Sequence, residues 1–160
     1  MRSGRRRGGR RRQTRADPQD PEVTLWGGSP VVAWFENAST ELHVSRWSGS
    51  AWEPLGQANL GSAGRHVYLT ASDTELYVTY TTGLVHVQVD MYDGFNWTAL
   101  ESPSDPPPLD DSYIITGDIA VFEGRPWVAY TRDGAMTVSK YVGSLSGQPA
   151  AVNRVHRIYP

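Results

Sequence analysis

The 160-residue sequence predicts an all-β fold made of three consecutive four-stranded antiparallel units that follow a short basic arm. One observation behind this prediction is a pattern that occurs three times, with glycines at 49, 94 and 143 marking equivalent turns. A second is the alternation of apolar and polar residues inside the repeated segments, which is typical of β-strands. A third is that no segment carries a sustained apolar stripe at helical spacing, so we expect almost no helix.

The repeat has six aligned positions, five found in all three copies and one in the first two, and the glycines lie 45 and then 49 residues apart. Each copy is also preceded by a short apolar run, at residues 23–25, 67–69 and 119–121. Repeats of this length indicate one supersecondary unit used several times. The aligned positions are Val32, Val78 and Val128; Trp34, Tyr80 and Tyr130; Val44, Val89 and Val138; Trp47, Tyr92 and Tyr141; Gly49, Gly94 and Gly143; and Trp52 with Trp97.

The second copy shows the strands most clearly, because residues 76–80 and 85–92 both alternate with a period of two. A short connection separates these two runs, and Asp93-Gly94 marks a second hairpin after them. With the upstream run and the segment at Trp97, each unit has four strands within about 45–50 residues, as a β-propeller blade requires. We therefore predict a disordered arm at 1–20 and a blade region at 21–160, with blades near 22–57, 65–101 and 113–150.

Three blades are fewer than a closed propeller contains, because closed rings typically have about 4–8 blades. Three blades alone would leave open sheet faces and strand edges, which invite pairing with another chain. We therefore expect either that a second copy completes a six-bladed ring as a homo-oligomer or that the sequence is part of a longer protein.

The repeated aromatic residues are predicted to fill the wedge between neighbouring sheets, because large aromatic side chains dominate core energetics. Aromatic residues outside the repeat are the better candidates for exposure to a ligand. The first set is Trp34, Trp47, Trp52, Tyr80, Tyr92, Trp97, Trp127, Tyr130 and Tyr141, and the second set is Trp26, Phe35, Phe95 and Tyr113.

The near-neutral net charge of −2 averages two very different segments. Residues 1–15 contain eight arginines and no acid, so the remaining chain carries seven basic and seventeen acidic side chains. An arginine-rich arm can bind phosphates, although such low-complexity runs are commonly disordered tails. The acidic remainder argues against a nucleic-acid surface on the folded part, which confines nucleic-acid binding to the arm.

The segments RWSGSAW, residues 46–52, and MYDGFNW, residues 91–97, resemble a turn motif of several propeller families. Together with PVVAW at 30–34, they resemble the repeats of bacterial secreted propellers over about residues 22–150. That resemblance implies an extracellular or cell-envelope location. The arm itself does not read as a secretory signal peptide, because no apolar stretch follows its arginines.

Two other propeller families are similar at the same turn. The Asp box of sialidase-type propellers is matched by Ser45, Gly49 and Trp52, but Trp47 stands where the box has its aspartate. Fucose-binding propeller lectins share a W-D-G-x-x-W turn. Their sugar-binding arginine and glutamate have no counterpart in residues 31–34 and 42–46, so the residues do not support fucose recognition.

Candidate ligand-binding residues lie on the loops where the connections between units and the second-to-third strand hairpins gather, since loops often carry function. No nucleophile elbow, phosphate loop, dinucleotide fingerprint or pair of catalytic carboxylates is recognisable, so no catalytic residue and no cofactor is predicted. The four histidines lack metal-site spacing, there is no cysteine, and the acidic, proline-rich segment 104–111 lacks EF-hand alternation, so no metal is predicted either. The candidate ligand-binding residues are Glu36, Asn37, Glu41, Asp110, Asp111, Arg132 and Asp133.

These features favour a noncatalytic recognition or scaffold module that binds carbohydrate or protein. One alternative is a fragment of a sialidase-like glycoside hydrolase propeller, which leaves an enzymatic role open. Another is a protein whose basic arm binds nucleic acid or an anionic surface. No run of about 18 apolar residues is present, so we expect no membrane span.

Overall fold

A computed structural model of the chain describes residues 18–36, 41–56, 64–82, 86–100, 115–132, 134–142 and 151–158, in which twelve strands form three four-stranded antiparallel sheets. Sheet 1 contains β1 (Pro18–Trp26), β2 (Ser29–Glu36), β3 (Glu41–Trp47) and β4 (Trp52–Pro54). Sheet 2 contains β5 (Gly64–Ala71), β6 (Leu76–Thr82), β7 (His86–Tyr92) and β8 (Trp97–Ala99). Sheet 3 contains β9 (Ile115–Phe122), β10 (Arg125–Arg132), β11 (Ala135–Val142) and β12 (Ala151–Ile158). Neighbouring strands in each sheet are consecutive in the chain, so every sheet is a meander.

The strand register confirms the sequence alignment of the three repeats within the described residues, which do not include Gly143. Each aligned valine on the second strand pairs with a polar residue on the third strand: Val32 with Ser45, Val78 with Asp90, and Val128 with Ser139. The aligned aromatic pairs Trp47–Trp52 and Tyr92–Trp97 also face each other across the last two strands of their sheets. Identical register in successive sheets means that equivalent residues point to the same face.

The sheets pack face to face, and their first strands contact one another in the order β1, β5, β9. We call the face that a sheet turns toward the preceding sheet its leading face, and the opposite side its trailing face. One core joins the trailing face of sheet 1, including Val31 and Phe35, to Val78 and Tyr80 of sheet 2. The second core joins the trailing face of sheet 2 to sheet 3 in the same way. This arrangement is that of three consecutive propeller blades with β1, β5 and β9 as inner strands.

In sheets 2 and 3, the aligned aromatic position on the second strand carries a buried tyrosine whose hydroxyl lies within hydrogen-bonding distance of a polar residue on the third strand. In sheet 2, the Tyr80 hydroxyl donates to Asp90 Oδ2 at 3.0 Å, and Asp90 is fully buried. In sheet 3, the equivalent Tyr130 hydroxyl lies 3.2 Å from Ser139 Oγ. Both pairs satisfy polar atoms that burial would otherwise leave unpaired, which favours one strand register over its neighbours.

The prediction that the repeated aromatic residues form the core is confirmed for the tyrosines of sheets 2 and 3 but not for the tryptophans: Trp34, Trp47, Trp97 and Trp127 are half-buried. Tyr80, Tyr130 and Tyr141 are at most 1% exposed, whereas Trp52 is 49% exposed. Trp52 occupies on sheet 1 the position that the half-buried Trp97 occupies on sheet 2. The difference arises because the leading face of sheet 2 is covered by sheet 1, while the leading face of sheet 1 has no preceding sheet in the described part of the chain.

The expectation for aromatic residues outside the repeat is partly wrong. Trp26 and Phe35 are buried, because both lie on the trailing face of sheet 1 and pack edge-on against Tyr92 and Tyr80 respectively. Phe95, at the turn between β7 and β8, is 86% exposed as expected. The fourth member of this set, at position 113, lies outside the described residues.

Candidate functional site

Two groups of polar side chains gather at the edge of the sheets where β2 ends and β3 begins. Glu36 is the last residue of β2 and Glu41 is the first residue of β3, and the two are paired directly across the strands. Because β1, β5 and β9 all start at this same edge, their first residues lie on the same side of the molecule. We call this edge the hairpin rim.

The first group, which we call the corner cluster, consists of Glu36, Glu41 and His43 on sheet 1. One side-chain atom of each residue lies within 4.8 Å of the other two, and His43 Nε2 is 3.4 Å from Glu36 Oε2. His43 also stacks on Trp34, its partner across β2 and β3, with ring centroids 5.2 Å apart and planes 18° apart. The stacking contact restricts the orientation of the imidazole relative to the two carboxylates.

Sequence reasoning selected Glu36 and Glu41 as loop residues and did not include His43. The alternation of side chains along β3 places residues 41 and 43 on the same face, and this is the signal that could have identified the histidine. Arg132 is the last residue of β10, at the position that Glu36 occupies in sheet 1, and it is 9% exposed. The four remaining candidates, Asn37, Asp110, Asp111 and Asp133, lie outside the described residues.

The second group lies on the inner strands, and we call it the inner cluster: Asp20, Glu22, His66, Tyr68 and Asp118. Three of its members occupy one repeated position, directly before the aligned apolar residues Val23, Leu69 and Ile119. The members of the inner cluster at that repeated position are Glu22, Tyr68 and Asp118. The sequence analysis missed this position because its residue type changes from copy to copy.

A β-bulge recurs near the start of each inner strand. The register shifts between Gln19 and Glu22 in β1, between Arg65 and Tyr68 in β5, and between Ala129 and Tyr130 in the pairing of β10 with β9. Bulges redirect side chains and are over-represented next to functional sites.

Within two of these bulges a non-glycine residue adopts a left-handed backbone conformation. The φ angle is 49° at Asp20 and 58° at His66, which costs about 1 kcal/mol for each residue. The two bulges are joined, because the backbone N–H of His66 donates to Asp20 Oδ2 at 3.2 Å. The hydrogen bond ties the inner strands of sheets 1 and 2 together at the hairpin rim.

The acidic members of the inner cluster share one electrostatic environment. Partial burial raises the pKa of the Glu22 carboxyl, and the charges of Asp118 and Asp20 raise this pKa further. Burial also raises the pKa of the Tyr68 hydroxyl, to which Glu22, Asp118 and Asp20 add in that order. Glu22 therefore gives up its proton less readily than an ordinary glutamate, and the carboxylates of the cluster offer strong hydrogen-bond acceptors to a ligand.

The opposite edge of sheet 1 has an open cavity of about 270 Å³ lined by Arg46, Glu53 and neighbouring residues. Arg46 is held there by the core, because its guanidinium lies 5.0 Å from the centre of the Trp26 ring and donates a hydrogen bond to the Gly27 carbonyl. These contacts explain the position of the arginine without a ligand.

The comparisons with known proteins agree with the fold. The sequence matches no protein-family profile and no curated protein. Among solved structures, the chain is similar to the Aleuria aurantia lectin, described as a six-bladed β-propeller with a novel fucose recognition mode, at a TM-score of 0.54 and 15% identity. The similarity covers 83% of this chain and 43% of the lectin.

A point mutant of the same lectin, in complex with Fucα1-6GlcNAc, gives a TM-score of 0.55 at 16% identity, again over 83% of this chain and 43% of the lectin. An α-L-arabinofuranosidase from Clostridium thermocellum gives 0.51 at 14% identity, over 90% of this chain and 58% of the enzyme. The chain thus spans about half the length of these proteins. The fold is all-β, with three consecutive four-stranded antiparallel propeller blades, as the sequence predicts. In the described ranges, no helix is long and apolar enough to cross a bilayer.

Proposed function

We propose that the chain is a noncatalytic recognition module that binds carbohydrate at the inner cluster. The observation that carries this proposal is the convergence of three inner strands, each contributing a polar side chain at the same repeated position, on one shared electrostatic environment. Carboxylates accept strong hydrogen bonds from sugar hydroxyls, and a tyrosine adds an apolar ring with a polar tip. Lectin propellers with this fold bind carbohydrate, which supports the choice of ligand class.

A glycan array probed with the full chain tests this proposal. We expect binding to a defined set of glycans, and we expect the double variant Glu22→Gln/Asp118→Asn to reduce that binding at least tenfold. Asp73→Asn is a matched control, because Asp73 is an exposed aspartate in the turn between β5 and β6, at the opposite edge. An array without signal contradicts the carbohydrate proposal and favours a protein ligand. Equal loss in the control contradicts the assignment to the inner cluster.

A second candidate is a fragment of a glycoside hydrolase propeller, and the environment of Glu22 favours it. Glycosidases commonly use two carboxyl groups, one kept protonated as the acid and one ionised. Burial raises the pKa of the Glu22 carboxyl, and the nearby Asp118 and Asp20 raise it further, which favours Glu22 over an ordinary glutamate as the candidate acid. Turnover of fluorogenic glycosides above a heat-treated control, abolished by Glu22→Gln, would support catalysis and contradict the noncatalytic proposal.

We further propose that a second copy of the chain completes the ring head to tail. The leading face of sheet 1 exposes residues whose equivalents are covered in the other sheets. Val23 is 68% exposed, whereas its counterparts Leu69 and Ile119 are 9% and 5% exposed. Leu25 is 69% exposed, whereas its counterparts Ala71 and Val121 are partly buried against the two cores. The trailing face of sheet 3 likewise exposes Met136, at 47%. Two such faces fit each other by the same packing that joins the sheets within one chain, and two three-bladed chains make six blades.

Size-exclusion chromatography with light scattering tests this assembly. We expect twice the 17.7 kDa mass of one chain. Leu25→Glu should give the monomer, because it places a charge in the apolar seam, while Phe95→Glu should remain a dimer. Phe95 is the matched control since it is exposed at a turn outside both faces. A folded, monomeric parent chain would contradict the proposal.

A further inference from the structure

We propose that the corner cluster of Glu36, Glu41 and His43 binds a divalent transition metal ion, with Zn²⁺ as the best match. The three side chains are contributed by the facing ends of β2 and β3 and lie together without any rearrangement of the backbone. One imidazole and two carboxylates are ligands of the kind that catalytic and surface zinc sites use, with the fourth position left for water. The proposal is independent of carbohydrate binding at the inner cluster.

The distances in the corner cluster suit a tetrahedral ion. Zinc bonds to imidazole nitrogen and carboxylate oxygen measure about 2.0–2.2 Å, so two tetrahedral ligand atoms are separated by about 3.4 Å. His43 Nε2 and Glu36 Oε2 are separated by 3.4 Å. The third ligand atom, from the exposed Glu41, lies within 4.8 Å of both.

His43 supplies a second and independent observation. Its Nε2 atom is shielded from solvent and has no hydrogen-bond partner within the described part of the chain, although it faces a carboxylate oxygen. A metal ion at this position would accept the Nε2 lone pair of the imidazole and would bind the neighbouring carboxylate oxygen at the same time. The stacking of the ring on Trp34 holds Nε2 toward the carboxylates, as outer contacts do for metal-binding histidines.

The cluster is specific to sheet 1, which argues against a general packing role. The strand register gives Thr82, His86 and Gln88 at the same positions of sheet 2. In sheet 3 the positions hold Arg132, Ala135 and Thr137. Neither set contains a carboxylate, so no requirement of the blade explains why two glutamates and a histidine meet in sheet 1.

The ligand set also separates metals from one another. Calcium prefers six to eight oxygen ligands and magnesium keeps an octahedral shell with several waters, so an imidazole with two carboxylates suits neither. Borderline ions such as Zn²⁺ accept imidazole readily. We therefore expect zinc binding to be insensitive to millimolar Ca²⁺ or Mg²⁺.

Isothermal titration calorimetry of the untagged, EDTA-stripped full chain with Zn²⁺ tests the site. We expect one ion per chain, with affinity lowered at least tenfold by His43→Ala and by Glu41→Gln, and unchanged by His86→Ala. Glu41→Gln changes an exposed side chain, so it tests the site even if His43→Ala perturbs folding. His86 is the matched control, because it is a histidine at the rim of sheet 2.

Tryptophan fluorescence gives a second signal, because an ion on His43 should change the emission of the stacked Trp34. A fluorescence change on adding zinc that is absent from Trp34→Phe supports the proposal. Three results would overturn it: absence of zinc binding, zinc binding of equal strength in Glu41→Gln, or Ca²⁺ binding with the same affinity as Zn²⁺. None of these results depends on whether the chain binds a glycan.

Discussion

Replacing Tyr80 by phenylalanine tests the buried polar pairs of the repeat. The substitution keeps the ring in the core between sheets 1 and 2 and removes only the hydroxyl that donates to Asp90 Oδ2 at 3.0 Å. Asp90 is fully buried, and its other oxygen receives a hydrogen bond from Gln88 Nε2 at 3.1 Å. The variant therefore leaves a buried carboxylate with one donor fewer.

The repeat provides a matched comparison for the magnitude. A hydrogen bond to a charged group contributes about 1.5–3 kcal/mol, and a neutral one about 0.5–1.5 kcal/mol. Tyr80→Phe should therefore lower the free energy of unfolding by about 2–3 kcal/mol. Tyr130→Phe, at the equivalent position beside the neutral Ser139 hydroxyl, should lower it by about 1 kcal/mol.

Urea unfolding followed by tryptophan fluorescence measures both free energies, provided that the slopes of the two variants agree. In an Asp90→Asn background, Tyr80→Phe should cost about 1 kcal/mol less than in the parent, because the acceptor is no longer charged. Equal destabilisation by Tyr80→Phe and Tyr130→Phe, or no coupling between positions 80 and 90, would refute the reasoning.

Three further predictions concern stability. Burial raises the pKa of the Tyr77 and Tyr80 hydroxyls above the ordinary value of 10. Their contribution to the free energy of unfolding is therefore complete below pH 10 and is lost as the pH rises further. The urea midpoint should fall on alkaline titration, and less steeply in Tyr80→Phe. The pKa of the Glu22 carboxyl is raised from 4.5, so its contribution to stability is complete below pH 4.5 and is lost as the pH rises. Because glutamine stays neutral like the protonated acid, Glu22→Gln should have a higher melting temperature than the parent at about pH 7 and the same one at about pH 3. Gly94→Ala and Gly49→Ala should each cost about 1–2 kcal/mol in urea unfolding, because φ is 97° and 101° there; an unchanged midpoint would contradict this.

The fold could be predicted from the sequence because its main determinants are local and repeated. Alternation of apolar and polar residues defines strands such as β6 and β7, and the turn glycines at 49 and 94 define where they reverse. The three copies of the pattern then define the alignment of the repeats. The strand register agrees with it, because the pairing of Val78 with Asp90 in sheet 2 has an equivalent in each of the other sheets. Periodicity thus located the strands of the first two blades, whereas β12 (Ala151–Ile158), the last strand of the third blade, lies beyond the predicted blade near 113–150.

The candidate sites could be predicted only in part, because they depend on which residues meet across strands. Glu36 and Glu41 were selected as hairpin residues, but their meeting with His43 requires the register of β2 and β3. The inner cluster depends on β-bulges, and Asp20 and His66 adopt left-handed backbone conformations that the local sequence pattern does not predict. Neither residue belongs to the aligned set, so a search for matched positions passes over both.

Aligned aromatic residues of the repeat differ in burial, because burial depends on whether a neighbouring sheet packs against them. Trp52 and Trp97 are aligned in sequence, and each pairs with an aromatic residue in identical register. Trp52 is nevertheless exposed, whereas Trp97 is half-buried. The indole N–H of Trp97 donates a hydrogen bond to the Leu55 carbonyl, next to β4 of sheet 1, at 2.8 Å. The core therefore forms only where a second sheet supplies the opposite wall. The leading face of sheet 1 carries large apolar residues, including Val23, Leu25 and Trp52, as the covered faces of the other sheets do. An apolar face of this kind is the physical reason to expect another blade packed against it.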